Sequence, residues 1–382
     1  MSHSRIKATL IKPPPPSDDK APIEDVLELT HLNDIDPNLF TNTRPLWHPP
    51  GARGIYGGAV IAQCLAAAQK TVPENFLVHS MHCYFVLNGS SDIPVIYHVE
   101  HVREGRSFAT RTVQARQRGQ PIFTTTLSFM REGSGGKQTV KHQAEMPEIP
   151  DAKEVEGMDL LARAKSPFVT QLAGILNNDS TNAHEKRTRQ WIKCKGRISE
   201  EGGTQSHLSA LAYMSDSYFI GTVARTHRLW KYDSLTKTNE KAPSEDTGAS
   251  PKQKEKEILV TSDILAKLKT MDLATLRKVE DMDDDLINQL NALEIVNGQI
   301  VGLKEKRPEI GMMVSLDHSI YFHNPRKFRA DEWLLTEAET PWAGDGRGYV
   351  NQRIFARDGT LVASCTQEGV VRLKQEPKAS KL

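Results

Sequence analysis

Residues 312–323 (MMVSLDHSIYFH), 331–340 (DEWLLTEAET), 346–359 (GRGYVNQRIFARDG) and 360–373 (TLVASCTQEGVVRL) decide the fold of this chain. They read as four short strands, because apolar and polar residues alternate with period two and turn residues separate the runs. In the last run Leu361, Ala363, Cys365, Gln367, Gly369, Val371 and Leu373 share one parity, while Ser364, Thr366, Glu368 and Arg372 share the other. Gln367 is therefore a polar amide in an apolar row. A buried amide needs hydrogen-bond partners or costs roughly 1–3 kcal/mol, so Gln367 raises the question of what it holds.

Upstream of these strands, 187–198 (RTRQWIKCKGRI) is strand-like and 208–221 (LSALAYMSDSYFIG) is helical. Leu208, Ala212, Asp216 and Phe219 are spaced by four, four and three, which turns the Asp216 carboxylate toward the sheet. A carboxylate in apolar surroundings gains basicity through desolvation and suits a general base. Ser315 lies on the outward parity with Met313, Asp317 and Ser319; an inward aim would need either a bulge or a break in alternation near the strand end.

The first half follows the same order. Residues 53–58 (RGIYGG) lead into 59–69 (AVIAQCLAAAQ), small or apolar nearly all round, as a helix wrapped by a sheet must be. Gly57 and Gly58 let its N-terminus approach another backbone or a ligand closely, but no G-K-[ST] follows and no phosphate loop is read. Four strand-like runs come next, at 76–87, 93–102, 105–117 and 121–131. The two halves share residues as well: 104–108 (EGRSF) returns as 345–349 (DGRGY), and Met130-Arg131 as Val371-Arg372. Arg106 and Arg347 stand 241 positions apart, as do Arg131 and Arg372. Two copies of one α+β unit account for this.

The expected boundaries are a disordered tail at 1–20, an N-terminal copy at 21–132, a linker at 133–180, a C-terminal copy at 181–373 and a tail at 374–382. Residues 225–305 form an insertion in the second copy, charged and Ser/Thr/Pro/Gly-rich over 231–257. Within it Ser262 is read as the cap of a helix carrying Ile264, Leu265 and Leu268, and Asp283 as the start of another.

Lys and Arg total 49 against 48 Asp and Glu, a net charge of +1, which gives no general attraction to nucleic acid or anionic membrane. Cys64, Cys83, Cys194 and Cys365 are scattered in apolar runs, as buried reduced thiols would be. No apolar run approaches the roughly 20 residues that cross a bilayer, and no signal-peptide core precedes Pro13, so the chain is expected to be soluble and not secreted. Ser380-Lys381-Leu382 is a peroxisomal address read by an import receptor, which predicts the peroxisomal matrix. Asp317-His318-Ser319 lacks the G-x-S-x-G elbow of a serine hydrolase. The pairs His79/His82 and His98/His101 split across strand faces, which speaks against a metal site. The basic and aromatic residues between Arg326 and Trp333 read as a turn, with no nucleic-acid surface implied.

These stretches together resemble the acyl-CoA thioesterase II family. The likeness is carried by 53–68, 77–86 and 93–108 in the first half, and by 211–219, 315–323, 331–340 and 358–372 in the second. It implies two tandem hotdog folds, each an antiparallel sheet around a central helix, and hydrolysis of fatty acyl-CoA thioesters with no metal or redox cofactor. It implies Asp216, Ser315 and Gln367 as catalytic residues, with Gly57 and Gly58 as candidates to hold the oxyanion. At the constant separation, Thr126 stands in Gln367's place, so the first copy is expected to be catalytically silent. A hotdog enoyl-CoA hydratase would want a His soon after the helix Asp, and SYFIG follows Asp216 instead. A non-catalytic acyl-CoA-binding protein is the other alternative. Two fused copies already reproduce a pair, and a homo-oligomer of the double unit is compatible with the sequence.

Overall fold

The computed structural model describes residues 14–15, 19–49, 52–152, 166–229, 262–271, 294–296, 299–301 and 308–375. Most of the N-terminal tail, the 231–257 stretch, the helix expected from Asp283 and the Ser380-Lys381-Leu382 tripeptide lie outside the described residues.

The first copy opens with α1 (Pro22–Leu27), which starts on a proline whose fixed φ suits the first helical position. β1 (Leu29–His31), β2 (Leu39–Asn42), α2 (Gly57–Gln69), β3 (Phe76–Phe85), β4 (Ile96–Glu104), β5 (Phe108–Gln117) and β6 (Gln120–Arg131) follow. The second comprises β7 (Phe168–Leu176), β8 (Arg187–Cys194), α3 (Gly203–Ser215), α4 (Gly221–Thr226), α5 (Ser262–Thr270), a separate ribbon of β9 (Glu294–Val296) and β10 (Gln299–Val301), then β11 (Ile310–Ser315), β12 (Asp317–Phe322), β13 (Leu334–Gly344), β14 (Arg347–Ala356) and β15 (Leu361–Leu373). Ser262 does begin a helix, and Leu265 and Leu268 on it are buried.

All the described strands except the β9–β10 ribbon form one sheet, ordered β1-β2-β4-β5-β6-β3-β12-β15-β14-β13-β8-β7, with β11 also paired to β15. The order is mirror-symmetric about the antiparallel β3–β12 pair. β7 therefore takes for the second copy the edge place that β1 takes for the first, although it falls inside the stretch expected to be linker. The residues before it also have structure. Gln143 Nε2 donates to Gly359 O at 2.8 Å, Trp191 Nε1 donates to Pro150 O at 3.1 Å, and Met146, Ile149 and Ala152 pack over Trp191, Trp333, Leu335, Phe355 and Leu361. The segment straps the outer face of the second copy.

On the inner face α2 packs against β3, β4, β5 and β6 and against α3. A sheet curled round a helix leaves it no solvent face, and Gly58 through Leu65 of α2 are all buried. Full burial of side chains such as Ile61 and Leu65 contributes about 1.5–3 kcal/mol each. The two helices run antiparallel and are pinned at both ends. Ser209 Oγ donates to Gln69 Oε1 at 2.9 Å at one end, and Tyr56 Oη donates to Tyr213 O at 3.1 Å at the other. There a Cβ on Gly58 would lie 2.2 Å from Tyr213 O, so only glycine permits the contact.

Gly58→Ala is accordingly expected to cost about 1–3 kcal/mol by overpacking and to lower the thermal midpoint. Gly135→Ala, whose Cβ would meet only Met130 Cε at 3.7 Å, should leave it unchanged. Equal midpoints for both variants in calorimetry would show that the helix ends are not in contact.

Candidate active site

α3 stops at Ser215, so Asp216 is its C-cap and not an interior helical residue as the spacing predicted. Asp216 N–H caps Met214 O, Ser217 N–H also bonds Met214 O at 2.9 Å, and Tyr218 turns the chain with φ of +53°. A left-handed backbone costs a non-glycine residue roughly 1–2 kcal/mol, and here the Arg225 guanidinium lies over the Tyr218 ring at 4.6 Å. The tight stop leaves the Asp216 carboxylate half-buried at the end of α3, facing the first turn of α2. Gly58 N–H donates to it, and its Oδ2 lies 2.7 Å from where a Gly57 Cβ would stand. Desolvation raises its pKa from the usual carboxylate range to about 6, opposed by the bonds from Gln367 and Gly58.

Gln367 is fully buried on β15, and its Nε2 donates to Asp216 Oδ1 at 2.8 Å. The same nitrogen lies 3.1 Å from Nδ1 of His318 on β12. His318 is also fully buried, with Nε2 3.0 Å from Ser215 Oγ and its ring edge-on to Phe219. Burial lowers its pKa to about 3, so the imidazole is neutral.

A bulge re-aims Ser315. Ser315 pairs with Gly369, but Ser319 pairs with Thr366, so three residues on one strand oppose two on the other. Leu316 N–H bonds Glu368 O at 2.9 Å, and Glu368 N–H takes the Asp317 carboxylate at 2.7 Å in place of a backbone acceptor. The extra residue puts Ser315 and His318 on the Gln367 face of the sheet. It also separates the apparent Asp-His-Ser triad, since Ser319 faces outward and bonds His82 Nδ1 at 3.0 Å.

Asp216, Ser315 and Gly57 line one cleft of about 750 Å³ between the copies, with Phe85 from the first copy and Ile220 and Val314 from the second. The volume is within the usual range for small-molecule sites. Gln367 stands behind its wall.

The first copy does not repeat the constellation, though Thr126 is not the reason. Thr126 is exposed. The β4–β5 hairpin closes at Glu104 and Ala109 while β13–β14 closes at Gly344 and Arg347, so one constant separation cannot hold along the ladder. Gly119 and Gly359 occupy left-handed positions in matching turns, and on their 240-residue separation Gln367 corresponds to Leu127. Met81 pairs with Leu127, as His318 stands against Gln367. The C-cap of α2 is Lys70, where α3 has Asp216.

Sequence reasoning thus picked out Asp216, Gln367 and Ser315, and missed Ser215, His318 and the use of Gly58 N–H on the carboxylate. The signal for His318 was present, because it shares the parity of Leu316, Ile320 and Phe322, the apolar face of its strand.

Two family models match the chain: the acyl-CoA thioesterase N-terminal domain over residues 44–130 and the acyl-CoA thioesterase C-terminal domain over residues 141–371. Acyl-coenzyme A thioesterase 8 of Mus musculus is 29% identical, covering 94% of this chain and 92% of that protein. The peroxisomal acyl-coenzyme A thioester hydrolase 1 of Saccharomyces cerevisiae is 34% identical over 125 residues, 33% of this chain and 35% of that protein. Among solved structures, the acyl-CoA thioesterase II TesB2 of Mycobacterium marinum superposes with a TM-score of 0.58 at 25% identity, covering 94% of this chain and 99% of that one. The mirror-symmetric sheet around two buried helices is a double hotdog, and the chain belongs to the acyl-CoA thioesterase II family.

Proposed function

We propose that this chain, a thioester hydrolase acting on acyl-CoA thioesters, uses Asp216 to activate the attacking water. The observation that carries the assignment is a carboxylate lifted to about 6 at the wall of the cleft, held by an amide donor at 2.8 Å. Asp216 accepts a proton from the water, whose oxygen attacks the thioester carbonyl carbon. The tetrahedral intermediate expels the coenzyme A sulfur as a thiolate, and the proton on Asp216 is available to it. A thiol, with a pKa of about 8.5, is a good leaving group, so no strong acid is required. The products are the free carboxylic acid and coenzyme A.

Ser315, on the cleft wall, is assigned to hold the water or the carbonyl oxygen. Gly58 N–H already serves the Asp216 carboxylate, so within the Gly57–Gly58 pair the oxyanion falls to Gly57 N–H at the α2 N-terminus. Lys70, Leu127 and Met81 offer no carboxylate, amide or imidazole at the matching places, which leaves the first copy as frame. Import into the peroxisome through Ser380-Lys381-Leu382 is the second part of the proposal, supported by the tripeptide and by the yeast relative's name.

Asp216→Asn is expected to cut free-thiol release from acyl-CoAs by at least about 100-fold. Release equal to wild type would remove Asp216 as the base, and no release by wild type across chain lengths would favour an acyl-CoA binder. Activity should rise with pH through an apparent pKa near 6 as the carboxylate ionises. Stability should move the other way. The folded pKa lies above the unfolded one, so the native state binds the extra proton between about pH 4 and 6, and up to about 3 kcal/mol is lost as pH rises through that window. Asp216→Asn should therefore melt above wild type at pH 8, with the gap closing toward pH 4. In cells, deletion of the last three residues should turn a punctate fluorescent fusion diffuse, and unchanged puncta would discard the import signal.

A further inference from the structure

We propose that His318 is a positioning residue: as a neutral imidazole carrying its proton on Nε2, it fixes which way the Gln367 amide faces and therefore which atom meets Asp216. This inference rests on the reading of Asp216 and Gln367 as site residues given above.

The argument is a count of protons. Ser215 Oγ lies 3.0 Å from Ala212 O and donates to it. A hydroxyl has one hydrogen, so the proton in the 3.0 Å contact between Ser215 Oγ and His318 Nε2 belongs to the ring. A neutral imidazole protonated at Nε2 has a lone pair on Nδ1, and only a donor can satisfy it. Gln367 Nε2 lies 3.1 Å away and has two hydrogens, one for His318 Nδ1 and one for Asp216 Oδ1 at 2.8 Å. Turned over, the amide would present its oxygen to two acceptors at once. The backbone carbonyl of Ala212 thereby sets, through Ser215 and His318, the orientation of an amide on another element. Gln367 Oε1, buried and without a protein partner among the described residues, is the atom left to accept from a bound water.

The contact with Phe219 closes one side of the ring at 5.4 Å, and among the described residues no charged partner holds it. The titratable groups around it are Asp216 at the end of α3, Asp317 beside it on β12, Cys83 opposite it on β3, and Cys365 and Glu368 on β15. Burial pushes the Cys83 thiol to about 12 and raises Cys365, and desolvation raises Asp317, while Glu368 is paired with Arg347 at 2.9 Å. None of these supplies an acceptor for the second amide hydrogen of Gln367 in the hydrogen-bond pattern observed. Without His318 Nδ1 the amide can turn, and an Asp216 facing the amide oxygen would hold its proton to higher pH and cease to be a base near neutrality.

The test compares His318→Phe, which removes the acceptor, with His318→Asn, whose Oδ1 can take the place of Nδ1. His318→Phe is expected to lower kcat at pH 7 by about 100-fold, the scale on which a misplaced catalytic group acts. KM should stay within about twofold, since only a transition-state interaction is removed, and the acid limb of the pH–rate profile should move upward. His318→Asn should recover most of kcat and the wild-type limb. Independently of any variant's folding, nitrogen NMR of the wild-type protein should show a ring protonated at Nε2 that does not titrate from pH 5 to pH 8. A wild-type pH limb and kcat in His318→Phe, a titrating ring, or a proton on Nδ1 would each overturn the inference. Those results with an inactive Asp216→Asn would remove His318 alone, whereas an active Asp216→Asn would remove the underlying reading of the site.

Discussion

The Asp216 carboxylate sits between two helix ends of opposite sign, and the rest of the molecule is arranged to keep it there. The C-terminal end of α3, on which it stands, is the negative end of that helix and disfavours an anion; the N-terminal end of α2, which it faces, is positive and favours one. Burial adds to the first influence, and the bonds from Gly58 and Gln367 add to the second. The balance leaves the group near pH 6, high enough to take a proton from water and low enough to be ionised at neutrality. That balance requires contact between the helix ends, which Gly58 permits because it has no Cβ to strike Tyr213 O.

Contact of this kind needs two antiparallel helices inside one curled sheet, and the duplicated chain supplies both. In a symmetric pair every feature would occur twice. Here the frame is duplicated and the constellation of Asp216, Gln367 and His318 is not. Each helix ends against the start of the other, but one end carries Asp216 and the other Lys70, and one inner strand carries Gln367 where the other carries Leu127. Fusion into one chain allows this divergence, because the two halves need no longer share a sequence. The first copy then adds core and a cleft wall, through Phe85 and Gly57, with Leu127 and Met81 in place of the buried Gln367 and His318.

The fold was legible because its signals are local and repeated. Period-two alternation marks the strands, and an all-small apolar run marks the helix that a sheet surrounds. Gln367 was legible as a polar break in an apolar row, and Asp216 as an acid in a stretch with scarcely another charge. What sequence reasoning missed depends on contacts between distant residues. The end of α3 at Ser215 is set by the turn at Tyr218 and its packing under Arg225, which apolar spacing does not encode. The inward aim of Ser315 comes from one extra residue opposite Gly369 and Thr366, visible only once strands are paired. Thr126 was matched to Gln367 because hairpins of unequal length slip the register. Residues 143–152 read as linker because a strap fixed by Gln143 and by the Trp191–Pro150 contact has no period to detect.

The same bulge shows why the site breaks the local rules that the rest of the chain obeys. A regular β11–β12 strand would send Ser315 and Asp317 to one face and leave Leu316 and His318 on the other. Bringing Ser315 and His318 together to the Gln367 side requires an unpaired step in the ladder, and an unpaired step leaves Glu368 N–H without a backbone partner. Asp317 fills that gap with its carboxylate at 2.7 Å, so the acid next to the buried histidine has a structural task and is not part of a relay. A left-handed tyrosine, a half-buried carboxylate and a broken ladder within one site are each unfavourable on their own. They persist because the double core on either side over-determines the backbone that carries them, and each places a polar group where an ideal strand or helix would not.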